Sequence, residues 1–216
     1  MIKVVYFYRP ILRGRDIKRY GYNFADKWLI NTHNGIKEKG IKPVDIDDYP
    51  TVKQHLDKYY PQLKKRQDKG DTPYNLRNCA YLEDFYKQKI CWKAVGKKLA
   101  FSLVEEGIFL SAPACFIASR QNLYILAFLG SKLGKYFFYQ NSDRTGAGDI
   151  MLNIQSLVKF PIPKYEKGDN YEKIKNLMSK IIEQDNNSEK IQKLIDLEIY
   201  KIFKFNITEV SHIESV

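Results

Sequence analysis

Apolar positions along the chain recur at two periods, and each period predicts its own elements. Lys3 to Tyr8 is rich in β-branched and aromatic side chains, which predicts a strand over residues 3–8 ended by Arg9-Pro10. Gly14 marks a turn. Residues 20–32 read as a second extended stretch, with Trp28-Leu29-Ile30 at its end and His33-Asn34-Gly35 as the closing turn. Tyr49-Pro50 opens a helix, because Pro fits a first turn and Val52, Leu56, Tyr59 and Leu63 recur at three- and four-residue steps. A basic loop broken by Gly and Pro follows over 64–73, then a short helix over 80–85 and strands at 89–95, 101–104 and 114–118. Residues 123–139 carry a long helical pattern with Leu126, Leu129 and Leu133 on one face. A polar loop over 140–149 and an extended segment over 157–163 come next. Beyond Gly168, Ile174, Leu177 and Ile181, then Ile191, Leu194, Leu197 and Ile202, repeat at helical spacing around a break at Asn186-Asn187-Ser188. The pattern predicts an α/β (α+β) fold. A mixed, twisted sheet with flanking helices forms a lobe over residues 1–165, and a C-terminal helical hairpin over 166–216 packs on it or on a partner subunit.

Charge sharpens this picture once it is located. The formal net charge is +11 over 216 residues. The first hundred positions hold 22 Lys and Arg against 11 Asp and Glu, and the remainder hold 14 of each. The whole excess therefore falls in the first half, as expected when one face meets a polyanion. Acidic lipid is the competing polyanion, but a membrane-surface helix gathers its cations along one amphipathic stripe. Here they are scattered among turns and aromatics, which favours nucleic acid. No apolar run approaches the roughly 18 to 20 residues of a membrane span, and the start has no signal-peptide pattern. Cys79, Cys91 and Cys115 are odd in number and lack C-x-x-C spacing, so neither a disulfide framework nor a zinc site is expected. A cytoplasmic, soluble protein with no membrane partner is the expectation.

Motifs for catalysis are missing. An amino-methyltransferase acting on a flipped base needs an acceptor loop of the type (N/D/S)-P-P-(Y/F), and the sequence has no Pro-Pro pair. Gly146-Ala147-Gly148 sits late, in a polar loop, whereas a cofactor glycine loop follows an early strand. Metal-dependent cleavage needs convergent carboxylates with a Lys nearby. Asp16-Ile17-Lys18 has the acid-x-Lys ending, but Asp16 is the first acidic residue of the chain, and pairing with a neighbouring Arg is favoured. His33, His55 and His212 are too far apart to form a motif, and no Walker sequence occurs.

Side chains suited to DNA are dense by contrast. Arg13, Arg15, Lys18 and Arg19 fall within seven positions around Gly14, where Arg can fork onto phosphate or guanine. A solvated turn with one internal Arg–Asp pair is an equal reading of the same segment. Lys65 and Arg66 lie in a loop suited to phosphate. Asn75-Leu76-Arg77-Asn78 places two amides and an Arg beside Tyr74, side chains that match adenine and guanine edges, although Asn78 is also suited to capping a turn. Lys93 and Arg144 complete the candidates, while Trp92 is expected in the core.

Several segments together resemble a known family. They are Arg13 to Tyr20, Trp28-Leu29-Ile30, the Tyr49-Pro50 helix ending in Leu63-Lys64-Lys65-Arg66, Leu76-Arg77, Tyr81-x-x-x-Phe85 and Lys89-Ile90-x-Trp92. Later come Leu126 to Leu133, Phe160-Pro161-Ile162-Pro163, and Ile195-Asp196-x-x-Ile199-Tyr200-x-Ile202-Phe203. This order resembles the TaqI-like C-terminal specificity domain of type IIG restriction enzymes and related adenine-specific DNA methyltransferases. More distantly it is similar to the target-recognition domains of type I specificity subunits. Gly130-Ser131 stands where that family usually has Asn-Ser. The resemblance implies a module that is not an enzyme on its own. It would bind a double-stranded DNA target so that adenine can be flipped into a methyltransferase/nuclease domain or subunit. S-adenosylmethionine and Mg2+ are expected only in those other domains, and no cofactor in this chain. The alternative is an interaction module, or a stand-alone type I-like module, with weak non-specific DNA binding.

Overall fold

The computed structural model describes residues 7–166, 168–183 and 188–215. Its first strands are β1 (Tyr8–Leu12), β2 (Ile17–Lys18), β3 (Gly21–Tyr22) and β4 (Trp28–Ile30), followed by helices α1 (Pro50–Asp57) and α2 (Tyr60–Lys65). Next come β5 (Lys89–Lys93), β6 (Val95–Gly96), β7 (Phe101–Val104), β8 (Phe109–Leu110) and β9 (Ala114–Ile117). Helices α3 (Asn122–Gly130) and α4 (Lys132–Asn141), strands β10 (Asp143–Arg144) and β11 (Ile150–Met151), and the short α5 (Ile154–Leu157) precede the tail. The tail holds α6 (Asp169–Glu183), α7 (Ser188–Phe203) and α8 (Ile207–Glu214). The architecture is α+β, with its strands distributed over several small sheets and a C-terminal helical pair, α6 and α7.

The chain divides into two compact units, each drawn from separate segments. The first comprises residues 1–11, 26–87 and 107–109; the second comprises 12–25, 88–106 and 110–216. In the first unit β1 is the middle of the sheet order β4-β1-β8, and β1 pairs antiparallel with β4, Arg9 opposite Leu29. Its buried apolar side chains include Phe7, Ile36, Ile46, Val52, Leu82, Phe85 and Phe109. Phe85 stacks on Phe109 with ring centroids 4.5 Å apart.

The second unit is built on the antiparallel sheet β7-β5-β9, with α3 and the tail helices α6 and α7 packed in the same core. β5 is central and buried along Lys89–Trp92, so the apolar/polar alternation expected of a half-exposed strand is absent. Even Lys89 is fully covered, its ammonium donating to the Glu105 carbonyl at 3.1 Å. Helix α3 is buried nearly all round, with Tyr124, Leu126, Ala127, Phe128 and Leu129 each at 2% exposure or less. The helical tail therefore shares one core with the sheet.

Where the elements depart from the sequence pattern, single residues explain it. Most of the strand expected at 3–8 lies outside the described residues, and Arg9-Pro10 lies inside β1 rather than ending it. Ile11 N–H donates to Lys27 O and Asn31 N–H to Phe7 O, which puts alternate positions in hydrogen-bonded pairs with β4. Pro10, opposite Trp28, is a non-hydrogen-bonded partner, so its missing N–H leaves that ladder intact. The helix expected from Pro50 through Leu63 is two helices, because Pro61 cannot donate to the Asp57 carbonyl and its ring would clash there. The pattern over 20–32 is broken by left-handed backbone at Tyr20 (φ 63°) and Asp26 (φ 49°).

The long helix of 123–139 breaks at Ser131, whose extended backbone and side chain cap α4. The polar loop of 140–149 contains strand β10 and turns through Gly148 (φ 80°) into β11, giving the sheet order β10-β11-β6. The break at Asn186-Asn187 lies outside the described residues, and α8 is a helix that the hairpin reading did not include.

Candidate nucleic-acid interface

Within the second unit lies an open cleft of about 1000 Å³. One wall is the turn Gly14–Asp16 with β2. Another is the stretch from Lys93 to Phe101, and a third is the junction of α3 and α4. Arg15, Lys18, Arg19 and Lys93, all sequence candidates, line it. So do Lys97 and Lys98, which follow Gly96, and Lys132 and Lys135 on α4. Among the described residues one carboxylate, Asp149, joins these eight cations in the lining. At such a ratio the low-dielectric walls focus a positive field into the cleft.

The Gly14 turn is locked by a side-chain pair. Arg13 donates from Nε and Nη2 to the two oxygens of Asp16 at 2.9 and 2.8 Å, and the Arg13 backbone N–H adds a third bond at 2.8 Å. The guanidinium holds the buried Asp16 carboxyl below the usual carboxylate range, against the opposing effect of burial. This is the internal Arg–Asp pair weighed in the sequence, and it occupies Arg13. Arg15 is exposed, and the Lys18 ammonium donates to the Arg15 carbonyl at 3.1 Å.

The α3–α4 junction is organised by the helix break. In a continuous helix the Gly130 carbonyl would accept from Gly134 N–H. Here Gly134 N–H goes to the Ser131 hydroxyl at 3.0 Å, and the Gly130 carbonyl instead accepts from Arg19 Nη2 at 3.0 Å and Tyr20 Oη at 3.1 Å. Tyr20 Oη also bonds Gln192 on α7. Gln192 Nε2 in turn donates to Asp196 Oδ1 at 3.1 Å, and that oxygen accepts the Lys132 backbone N–H at 2.9 Å. Burial raises the Asp196 carboxyl to about 6, outweighing these hydrogen bonds to its charged form. A Cβ at position 130 would stand 2.3 Å from the Tyr20 hydroxyl, so Asn cannot replace Gly130 while Tyr20 stays in place. The glycine at position 130 is thus tied to Tyr20.

Tyr139, on the cleft wall, has the Lys135 ammonium 5.6 Å and the Arg144 guanidinium 5.7 Å from its ring centroid. Arg144 donates to the Gly148 and Tyr139 carbonyls at 3.3 and 3.2 Å, which braces the β10–β11 hairpin. Gly146-Ala147-Gly148 is the turn of that hairpin. Trp92 is 1% exposed, with its indole N–H on the Leu152 carbonyl at 2.7 Å, a core residue as expected.

The remaining sequence candidates belong to the first unit. Arg66 Nη2 donates to the Asn75 and Pro73 carbonyls at 2.7 and 3.3 Å, which holds the loop 66–75 closed. Asn75 is 1% exposed, its amide donating to Val44 O at 2.9 Å and accepting from Thr72 Oγ1. Its expected match to a base edge gives way to a structural role. Asn78 Oδ1 accepts from Asn34 Nδ2 at 2.5 Å. Arg77 is two-thirds exposed and makes a long contact, 3.6 Å, with exposed Asp68. Lys65 is exposed at the end of α2. His33 Nδ1 accepts from Gly35 N–H, a turn contact.

The sequence reading missed Lys97, Lys98, Lys132 and Lys135. Lys132 and Lys135 stand three apart on one face of α4, with Tyr139 four further on, a spacing readable in advance had the helix break been placed. Burial pushes the Cys91 thiol up to about 12 and raises Cys79 and Cys115 as well, which disfavours the reactive thiolate at each. Among the described residues no helix is long and apolar enough to cross a membrane.

A cleft lined by eight cations and one carboxylate is strongly electropositive and suited to a polyanion. The family model described as the TaqI-like C-terminal specificity domain matches residues 9–162. The chain belongs to that family, a specificity domain serving DNA target recognition in restriction–modification. No curated protein matches it.

Proposed function

We propose that the chain is the target-recognition part of a type IIG restriction–modification enzyme, one that holds duplex DNA in place for an adenine methyltransferase and endonuclease carried on another domain or subunit. The observation that carries this reading is the cleft of the second unit, with eight cations and one carboxylate. Arg15, Lys18, Arg19, Lys97, Lys98, Lys132 and Lys135 contact phosphate and set register. In the first unit, Lys65, Arg77 and Asn78 are the residues suited to DNA contact. Arg13, Arg66 and Arg144 support the loops that present these contacts, Arg13 through its bidentate pair with Asp16 and Arg66 and Arg144 through carbonyls that their loops bring together. S-adenosylmethionine and Mg2+ belong to the partner domains.

Binding to labelled duplexes over a range of salt tests the reading. With about six phosphates neutralised, log affinity falls against log salt with a slope near −5. A slope near zero, or equal affinity for a neutral polymer, sinks DNA binding. A second reading, an interaction module with weak non-specific binding, is favoured by exposed apolar residues on the tail: Leu194 at 48%, Leu197 at 51% and Ile207 at 87%. Selection from a random duplex pool separates the two, since a module of that kind enriches no sequence.

A further inference from the structure

Lys93 is the cleft cation whose side chain is seated against glycines. Lys93 closes β5, its backbone fixed opposite Ala114 of β9 and its neighbour Trp92 anchored in the core. Its side chain lies across two glycines. A Cβ on Gly14 would stand 3.1 Å from Lys93 Cγ, and one on Gly96 would stand 3.4 Å from its Nζ. The Gly14 side of this cradle is the turn locked by Arg13 and Asp16. Lys93 is exposed, as are Lys97 and Lys98, which follow the cradle, and Lys135 extends over the Tyr139 ring.

Phosphate contacts tolerate a mobile ammonium, because the charge is spread along a repeating backbone. Reading a base edge requires the donor at one place, held by a side chain whose rotamer is restricted by its surroundings. We infer that Lys93 is a specificity-determining residue that donates to the acceptor edge of a purine, such as guanine O6 and N7, with Gly14 and Gly96 as positioning residues that hold its stem. The inference rests on the DNA-recognition reading and goes beyond it by assigning one side chain to sequence and the neighbouring lysines to backbone. It also gives the Arg13–Asp16 pair an indirect part, since that pair fixes the turn carrying Gly14.

The test is selection from a random duplex pool followed by salt titration on the winning duplex, with the unmodified chain and four variants. Lys93→Ala and Lys93→Met remove the charge, Met keeping the length of the stem. Gly14→Ala keeps the charge and displaces the stem, while Lys98→Ala is the backbone control. Each variant is first matched to the unmodified chain by thermal melting. Lys93→Ala and Lys93→Met lose the preference at one or two base pairs of the selected motif and bind the original winner about ten-fold more weakly, with the salt slope unchanged. Gly14→Ala loses preference at the same positions. Lys98→Ala keeps the motif and lowers the slope by about 0.9. The inference is overturned if the Lys93 variants select the unmodified motif, or if they weaken all duplexes alike with the slope change of Lys98→Ala. Enrichment of no motif by the unmodified chain overturns the recognition reading itself, a different result from an unchanged motif in the variants.

Discussion

Replacing Asp196 by Asn isolates the buried carboxylate that joins the tail helix α7 to the wall of the cleft. Asp196 is 3% exposed, and its Oδ1 accepts from the Lys132 backbone N–H and from Gln192 Nε2. Its position at the start of α4 favours negative charge, yet its folded value rises from 3.8 to about 6, so burial wins. Each factor of ten in proton affinity is 1.36 kcal/mol, which makes the charged form costly by about 3 kcal/mol in the folded state. The sign follows from proton counts. Between about pH 4 and 6 the folded chain binds more protons here than the unfolded chain, so this group makes stability fall as pH rises and level off above 6. Asn keeps the oxygen that both donors use and never ionises. Asp196→Asn is therefore more stable than the unmodified chain at pH 7, by up to about 3 kcal/mol, and the difference closes toward pH 4. Urea unfolding at pH 4, 5, 6 and 7, with m-values compared at each pH, measures it. A difference that is flat across this range, or that grows toward low pH, refutes the reasoning and places the proton elsewhere.

Three further outcomes follow from contacts described above. Asp16→Asn, which weakens the bidentate pair with Arg13, lowers stability by about 1 to 3 kcal/mol at pH 7. Because the folded value of Asp16 is depressed, that loss shrinks as pH falls through the acid range, the opposite sign to Asp196, and denaturant melts at pH 3 and 7 check it. Gly130→Ala drives a methyl group against the Tyr20 hydroxyl and lowers stability by about 1 to 3 kcal/mol, with partial rescue by Tyr20→Phe. An unchanged melting temperature in the single variant removes the close approach as an explanation. Arg66→Ala lowers the melting temperature because the loop 66–75 loses its brace, whereas Lys65→Ala leaves melting alone and reduces only the salt slope of DNA binding. Matched melting curves for the two count against that division.

What the sequence made legible was periodicity and charge. β5, β7 and β9 fall where β-branched and aromatic runs place them, and Leu126 and Leu129 are buried as their spacing requires. Single-residue geometry was not legible. Ser131 looks like one polar position in a long apolar helix, and nothing local announces that its hydroxyl takes Gly134 N–H and divides the helix. The cleft was half visible: Arg15, Lys18, Arg19 and Lys93 stand in or beside recognisable motifs, while Lys132 and Lys135 were hidden by that same unplaced break. The roles of Arg66 and Asn75 depend on carbonyls and hydroxyls brought close by the closed loop, and residue type alone cannot distinguish such an inward Arg or Asn from an outward one.

The way the second unit is threaded has a consequence for how such a chain can change. Its core joins residues 12–25 to 88–106 and 110–216, so the stretch 26–87 leaves and returns as an excursion from a core that it does not build. The excursion is a folded unit of its own, tied to β1 through β4 and to Phe109 through Phe85, so a change that keeps those contacts leaves the packing of the helices and β7-β5-β9 untouched. Lys65, Arg77 and Asn78 lie in this replaceable stretch, and Arg15, Lys18 and Lys93 lie in the fixed one. In a lineage built this way the proposed contacts of the first unit can change as a block that keeps its seat on β1 and Phe109, and those of the second only one side chain at a time.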